Sequence, residues 1–282
     1  LTFVATANAI RHAGAHPHFV EVESTSLGLD AARLDGHLHR IAERQADRWI
    51  NRETGRRLAA IVPMHTFGHP VDLDPLVELA DRYDLPIIED AAESLGSYYK
   101  GRHTGTFGRL GTLSFNGNKT ITTGGGGMVL TDDGDLAAAA RHLTTTAKQP
   151  HAWEFIHDRV AFNYRMPNLN AALGVAQLEM LPDLLARKRA LADRYAAAFA
   201  DLQGVTFLVE PDYARSNYWL NAIVLDEAAA DIRDPTLQAL GDAEFQARPI
   251  WRPMHQLDMY RDCPRMDLGV TESLAARVIN LP

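Results

Sequence analysis

The chain has 282 residues, 46% of them apolar and 23% charged, with a formal net charge of −8. That length supports about two domains or one large one, and the negative balance argues against a general nucleic-acid or anionic-membrane surface while leaving room for a local basic pocket. Cys263 is the only cysteine, which rules out an intrachain disulfide and fits a reducing cytoplasm; no apolar run reaches the roughly 18 residues of a membrane helix, and no signal peptide is read.

The chain starts at Leu1-Thr2-Phe3-Val4 without a methionine and stops at Asn280-Leu281-Pro282 without an evident cap, so both ends read as cuts through a longer protein. LAAIVPMH (58–65) predicts a buried strand. In DLDPLVELADRYD, Asp74 as N-cap, Pro75 in the first turn and Leu76, Leu79 and Ala80 on one face predict a helix. LPIIED then predicts a strand ending in Asp90. Strand, helix, strand with short joints is a βαβ unit, which points to a parallel sheet. TLSFN (112–116) and GGMVLTD (126–132) predict two more short strands, and GDLAAAARHLTTTA a helix. Residues 168–202 hold two helical patterns parted near Leu181-Pro182. VTFLV and NYWLNAIVL follow as shorter strands. The expected fold class is α/β, with a large domain over residues 1–189 and a smaller α+β domain over 190–282.

The segment SFNGNKTITTGGGGMVLTDD (114–133) places Lys119 just ahead of a run of glycines. A P-loop would close its glycines with Gly-Lys-Ser/Thr. Here Asn118 separates Gly117 from Lys119 and the glycines follow the lysine, so that match fails. An exposed loop lysine is the plain alternative. In open parallel sheets, reactive groups collect at the C-terminal ends of strands. Asp90 ends one predicted strand, His65 ends another, and Lys119 follows a third. If those strands are neighbours, the three side chains share one rim. Asp90 is equally placed to cap a following helix, and His65 to sit in a hydrogen-bonded loop. His65 and His69 have HxxxH spacing, but Gly68 and Pro70 break the helix that would use it, and with no third ligand in view no metal is expected. A lysine amine and a strand-end aspartate are together what pyridoxal phosphate requires, a covalent anchor and an acid partner for its ring nitrogen. Ser114 and the glycine turn offer hydroxyl and backbone N–H groups to a phosphate, and glycine lets the backbone pass where a Cβ would clash.

With these residues in place, the chain resembles the DegT/DnrJ/StrS family of pyridoxal-phosphate-dependent nucleotide-sugar aminotransferases. The resemblance is carried by LTFVATANAI, VPMHTFGHPVDLDPLVELA, IIEDAAESLGSYYKGRHTGTFG, SFNGNKTITTGGGGMVLTDD and NYRMPNLNAALGVAQLEML, in family order, and weakens after about residue 205. It implies fold type I, with an aspartate-aminotransferase-like large domain. It further implies Lys119 as the catalytic, cofactor-anchoring lysine, Asp90 opposite the pyridine nitrogen and Ser114 on the phosphate. Phe3 matches an aromatic over the cofactor, and is equally at home in a core. Asn163 matches an asparagine reaching the phosphate from a partner subunit, which implies a homodimer with shared active sites; a turn asparagine would look the same. His65, Arg248 and His255 are candidates for binding the nucleotide sugar. Glu93 departs from the family's usual Gln or His beside the phenolic oxygen; an ionised carboxylate there would repel a phenolate, so Glu93 is either protonated or turned away. A family segment with a Gly-Thr turn, ahead of TFVAT, is expected to precede this chain. The implied reaction moves an amino group from an amino acid, most often glutamate, to a nucleotide-linked keto sugar for amino-sugar and polysaccharide biosynthesis. The glycine segment most resembles the branch acting on 4-keto sugars. A C3-aminating relative, a dehydrating one (the family's dehydratases carry histidine in place of the lysine) and a non-catalytic member are the alternatives.

Overall fold

A computed structural model describes residues 1–282. The chain opens with helix α1 (Val4–His12), then α2 (Ala31–Ile41) and an antiparallel ribbon of β1 (Ala42–Gln45), β2 (Arg48–Asn51) and β3 (Arg56–Arg57). Helix α3 (Leu73–Arg82) leads into β4 (Ile88–Asp90), followed by the short β5 (Tyr98–Tyr99) and β6 (Arg102–His103), then β7 (Leu110–Ser114) and β8 (Gly127–Leu130). After α4 (Gly134–Thr144) come β9 (Lys148–Gln149) and β10 (Ile156–His157), then α5 (Asn168–Glu179) and α6 (Leu181–Phe199). The remainder is β11 (Val205–Phe207), β12 (Ala214–Arg215), β13 (Asn221–Leu225), α7 (Arg233–Asp242), β14 (Arg248–Pro249), α8 (Gly269–Arg277) and β15 (Val278–Leu281).

Two sheets organise the fold. In the first, β4 runs parallel to β7 with Asp90 opposite Thr112, and β8 pairs antiparallel to β7 with Ser114 opposite Gly127. The expected strand at 58–65 lies beside β4 but makes only isolated parallel bridges, Ile61 to Ile87 and Met64 to Asp90. Pro63 has no N–H to complete the ladder between them. The second sheet is antiparallel, in the order β11-β13-β15-β14. The α3 helix starts from Asp72 rather than from the expected Asp74. The Tyr99 hydroxyl donates to Asp72 Oδ1 at 2.6 Å and accepts from the Asp74 amide at 3.1 Å, so a side chain from β5 supplies the cap.

The boundary expected between residues 189 and 190 falls inside α6. Leu181 and Leu184 of that helix pack beside Phe115 and Ile121, whereas Ala192, Tyr195 and Phe199 pack on the second sheet. A further core joins Val22, Leu27 and Phe67 from the first half to Trp219, Leu274 and Val278 from the second. The two sheets therefore share apolar surface and are tied by a helix.

Glu89 anchors the first sheet. It is fully buried, and accepts the amides of Gly105 (2.7 Å), Phe107 (2.6 Å) and Gly108 (2.6 Å). Its Oε2 also lies 3.1 Å from His65 Nε2. Burial pushes this carboxyl up, but the His65 contact and the amides outweigh it and hold it below the ordinary carboxylate range. A group held low contributes stability above its unfolded pKa, and that contribution is lost as pH falls through the folded value. Glu89→Ala leaves three amides unpaired and is expected to cost about 3–5 kcal/mol near neutrality. The deficit relative to wild type should shrink in acid, as read from urea midpoints across pH.

Candidate active site

Strand geometry sorts the carboxylates of β4. Side chains alternate across a strand, so the inward turn of Glu89 sends Asp90 to the opposite face. Asp90 Oδ2 accepts the Thr6 hydroxyl at 2.6 Å and Oδ1 accepts the Ala92 amide at 3.1 Å. On the neighbouring parallel strand, Ser114 is the last residue of β7; its Oγ accepts only a long 3.4 Å bond from the Asn116 amide. The chain then turns, with the Lys119 amide donating to Asn116 O, and the Phe115 amide donates to Gly126 O. Gly124 and Gly126 adopt φ of +77° and +113°, and a Cβ on Gly127 would collide with Leu113 O. Gly124, Gly126 and Gly127 are thus required by the local backbone, whereas Gly125 has open space around it.

Lys119 is 11% exposed at its side chain, and its Nζ is 3.4 Å from Glu93 Oε1. Glu93 is buried, and its Oε2 accepts the Phe67 amide at 2.9 Å. Phe67 has φ +57° and the following Gly68 φ +96°, so this carboxylate pins a left-handed turn. Burial pushes the Glu93 carboxyl up to about 8, against the pull of the Lys119 charge and the Phe67 amide. Glu93 is therefore mostly protonated at neutral pH, and a protonated carboxyl does not repel a phenolate.

The second half of the chain closes the group. Asn217 Nδ2 donates to Glu93 O (2.8 Å), Leu95 O (2.9 Å) and Thr120 Oγ1 (3.3 Å). A Cβ on Gly68 would strike Asn217 Oδ1. The Trp219 ring lies under Lys119, 3.9 Å from Nζ to the ring centroid, and Trp251 packs between Phe3 (5.9 Å) and Phe67 (5.2 Å). Thr6, Asn217, Trp219 and Trp251 were not singled out from the sequence. Thr6 lies in a helix and the others in stretches that read as strand or loop, so only the return of the chain to the first sheet reveals them.

The other expected residues are placed differently. His65 donates its backbone N–H to Asp90 O, but its side chain is fully buried on the Glu89 side. Its Nδ1 accepts the Val71 amide at 3.2 Å, which leaves Nε2 to donate to Glu89. His65 is thus a core residue with both nitrogens committed, not a substrate ligand; the same alternation that turns Glu89 inward carries it away from the rim. His69 is buried edge-on to Tyr218 with neither ring nitrogen partnered, and burial pushes it down to about 4. Phe3 is half-exposed at the start of α1. Arg248 lines a separate hollow of about 320 Å³ with Asp234, Leu237 and Gln238 of α7. His255 is held 2.8 Å from Glu272. Neither hydrogen bonds to the Lys119 group. Asn163 is exposed, bridged through its backbone to Thr145. A cavity of about 800 Å³ lies between α1, α2 and residues 56–64; Thr6 lines it, but Asp90, Ser114 and Lys119 do not.

Because the Glu93 pKa is raised, its contribution to stability is fully present below the ordinary carboxylate range and is lost as pH rises through about 8. Glu93→Gln is expected to flatten the decline in urea midpoint between those limits while keeping the acceptor for Phe67. An unchanged slope would mean that Glu93 is not the buried acid.

Known proteins resemble this chain over its whole length. The model of the DegT/DnrJ/EryC1/StrS aminotransferase family matches residues 1–282. GDP-perosamine synthase of Escherichia coli O157:H7 is 36% identical over 282 residues, covering 100% of this chain and 71% of its own. The enzyme of the same name from Caulobacter vibrioides is 35% identical over 285 residues, with coverage of 100% and 72%. The crystal structure of DesI in the presence of its TDP-sugar product superposes with a TM-score of 0.85 at 30% identity, covering 100% of this chain and 67% of that one. The chain belongs to the DegT/DnrJ/EryC1/StrS aminotransferase family, pyridoxal phosphate-dependent enzymes that transaminate nucleotide sugars.

Proposed function

We propose that this chain transfers an amino group from an amino acid, glutamate in our reading, to a nucleotide-linked 4-keto-6-deoxy sugar, in the cytoplasm and on the way to a surface polysaccharide or glycan. The observation that carries the reading is the Lys119 amine at the C-terminal rim of the first sheet, beside a buried acid and one strand from the half-buried Asp90 carboxylate. A carboxylate, an amine, a hydroxyl and a glycine turn on one rim are the donor set that pyridoxal phosphate fits. The names of the relatives, GDP-perosamine synthase and a protein seen with a TDP-sugar product, support a nucleotide-linked sugar. The choice of carbon 4 follows the likeness of residues 115–128 to that branch, and retention of lysine at 119 favours amino transfer over dehydration.

When bound, pyridoxal phosphate supplies an electron sink for the substrate carbanion. In this reading Asp90, oriented by Thr6, would hold the ring nitrogen, and Ser114 with the glycine turn would hold the phosphate. Phe3 offers an aromatic face, and Glu93 keeps its proton and donates it as a hydrogen bond toward the phenolic oxygen. Lys119 Nζ would anchor the group and, once the amine of the donor has displaced it, would take a proton from the substrate carbon and return it. Arg248 and His255 are left as sugar ligands that a partner subunit would have to bring to the site. Asn163 stands in a stretch where Trp153, Phe155, Tyr164 and Leu169 are exposed and Val160 is 99% exposed. So much apolar surface favours a second copy of the chain as its cover, with Asn163 reaching the partner's phosphate site.

Borohydride reduction after incubation with pyridoxal phosphate should place one phosphopyridoxyl adduct on the Lys119 peptide. Lys119→Ala should lose the adduct and lower amino transfer to a nucleotide-linked keto sugar by on the order of 10³ or more. No adduct at Lys119 in an otherwise folded protein would end this reading. Separately, replacing Phe155 and Val160 with glutamate should convert a dimer to monomers in sedimentation and abolish activity without lowering the far-UV helical signal.

A further inference from the structure

We propose that Trp219 is a positioning residue for Lys119, its ring face holding the charged amine in reach of the reacting carbon and releasing it when neutral. The proposal rests on Lys119 being the catalytic amine. Glu93 Oε1 stands 3.4 Å from Nζ, beyond the 2.7–2.9 Å typical of a charge-assisted hydrogen bond. The Trp219 centroid lies 3.9 Å from the same atom, well within cation–π range, in a place where Lys119 is largely shielded from water. The ring is therefore the better partner for the ammonium. Lysine is a point charge on a flexible four-carbon stem, and without such a partner its amine would sample many rotamers.

The indole is itself fixed to the lysine's own loop. Trp219 Nε1 donates to Asn118 O at 2.7 Å, the residue before Lys119. Its backbone N–H donates to Asn217 Oδ1 at 2.8 Å, while Asn217 Nδ2 reaches Thr120 Oγ1, the residue after Lys119, at 3.3 Å. From α6, Lys188 Nζ donates to Tyr218 O (3.2 Å) and Trp219 O (3.0 Å). The stretch 217–219 thus holds both neighbours of the lysine and covers its amine.

The physics suits a group that must gain and lose a proton. A ring face attracts the ammonium through its quadrupole but has little hold on a neutral amine. When Nζ is neutral it is free to turn to the proton on the substrate carbon; once protonated it is held over the ring, still in reach of the carbon to which the proton returns. Phenylalanine would keep the face and lose only the tie to Asn118, whereas leucine would lose both.

The test has two parts. In the cofactor-free protein, a double-mutant cycle of Lys119→Met and Trp219→Leu should be non-additive, the unfolding constants departing from the product of the single effects by about tenfold. In the loaded enzyme, Trp219→Leu should lower kcat by about 10- to 100-fold with the amino-donor KM nearly unchanged, and should raise the primary isotope effect with α-deuterated glutamate. Trp219→Phe should restore most of kcat. Additive energetics, an unmoved isotope effect in Trp219→Leu, or a Trp219→Phe variant no better than Trp219→Leu would overturn the proposal while the wild-type enzyme still transaminates. A wild-type protein with neither adduct nor transamination would remove the parent reading, and this proposal with it.

Discussion

Four donors converge on the buried carboxylate of Glu89, the amides of Gly105, Phe107 and Gly108 and the imidazole of His65. Taking a carboxylate out of water is costly unless nearly every lone pair finds a donor, so the loop from 105 to 108 and the segment at His65 are held to its position. The alternation of β4 then leaves Asp90 one orientation, out to the rim and against Thr6. Because β4 and β7 are in parallel register, the ends of both strands, and with them Asp90 and Ser114, open on the same side of the sheet.

Four residues further along the chain, a second carboxyl is treated in the opposite way. Glu93 receives one amide and a distant ammonium where Glu89 receives four donors, and burial keeps it protonated near neutrality. One acid is thus held ionised as a structural anchor and the other held neutral beside the amine. Environments that push like groups apart in this way are a common means of assigning separate roles to them. Here the difference comes from the His65 contact to Glu89 and from the number of backbone amides each one meets.

The lysine loop is completed from the far half of the chain. Asn217, Trp219 and Trp251 come from the chain after α6, yet they fix the backbone around Glu93, cover Lys119 and pack against Phe3 and Phe67. The strained Phe67-Gly68 turn sits where these contacts meet, with Gly68 excluded from carrying a Cβ by Asn217. The site is therefore a joint between two sheets, which accounts for the shared apolar core and for α6 running unbroken between them.

The sequence by itself determined the order of strand, helix and strand and the glycine turn, because these depend on periodicity, turn chemistry and short spacing; that the strands ending at Asp90 and Ser114 are neighbours was decided by the sheet. It also carried the family, through several motifs in order. It misplaced the start of α3, since the cap is a tyrosine hydroxyl 25 residues away from the amide it satisfies. It set His65 at the rim because spacing along the chain does not say which face of a strand a side chain takes until a buried partner, Glu89, decides it. The protonation of Glu93 and the cation–π seat of Lys119 were decided only by the tertiary structure. Both depend on how much water and how many donors remain around a group once residues 217–219 have folded back over residues 93–120, and that is a property of packing between distant segments.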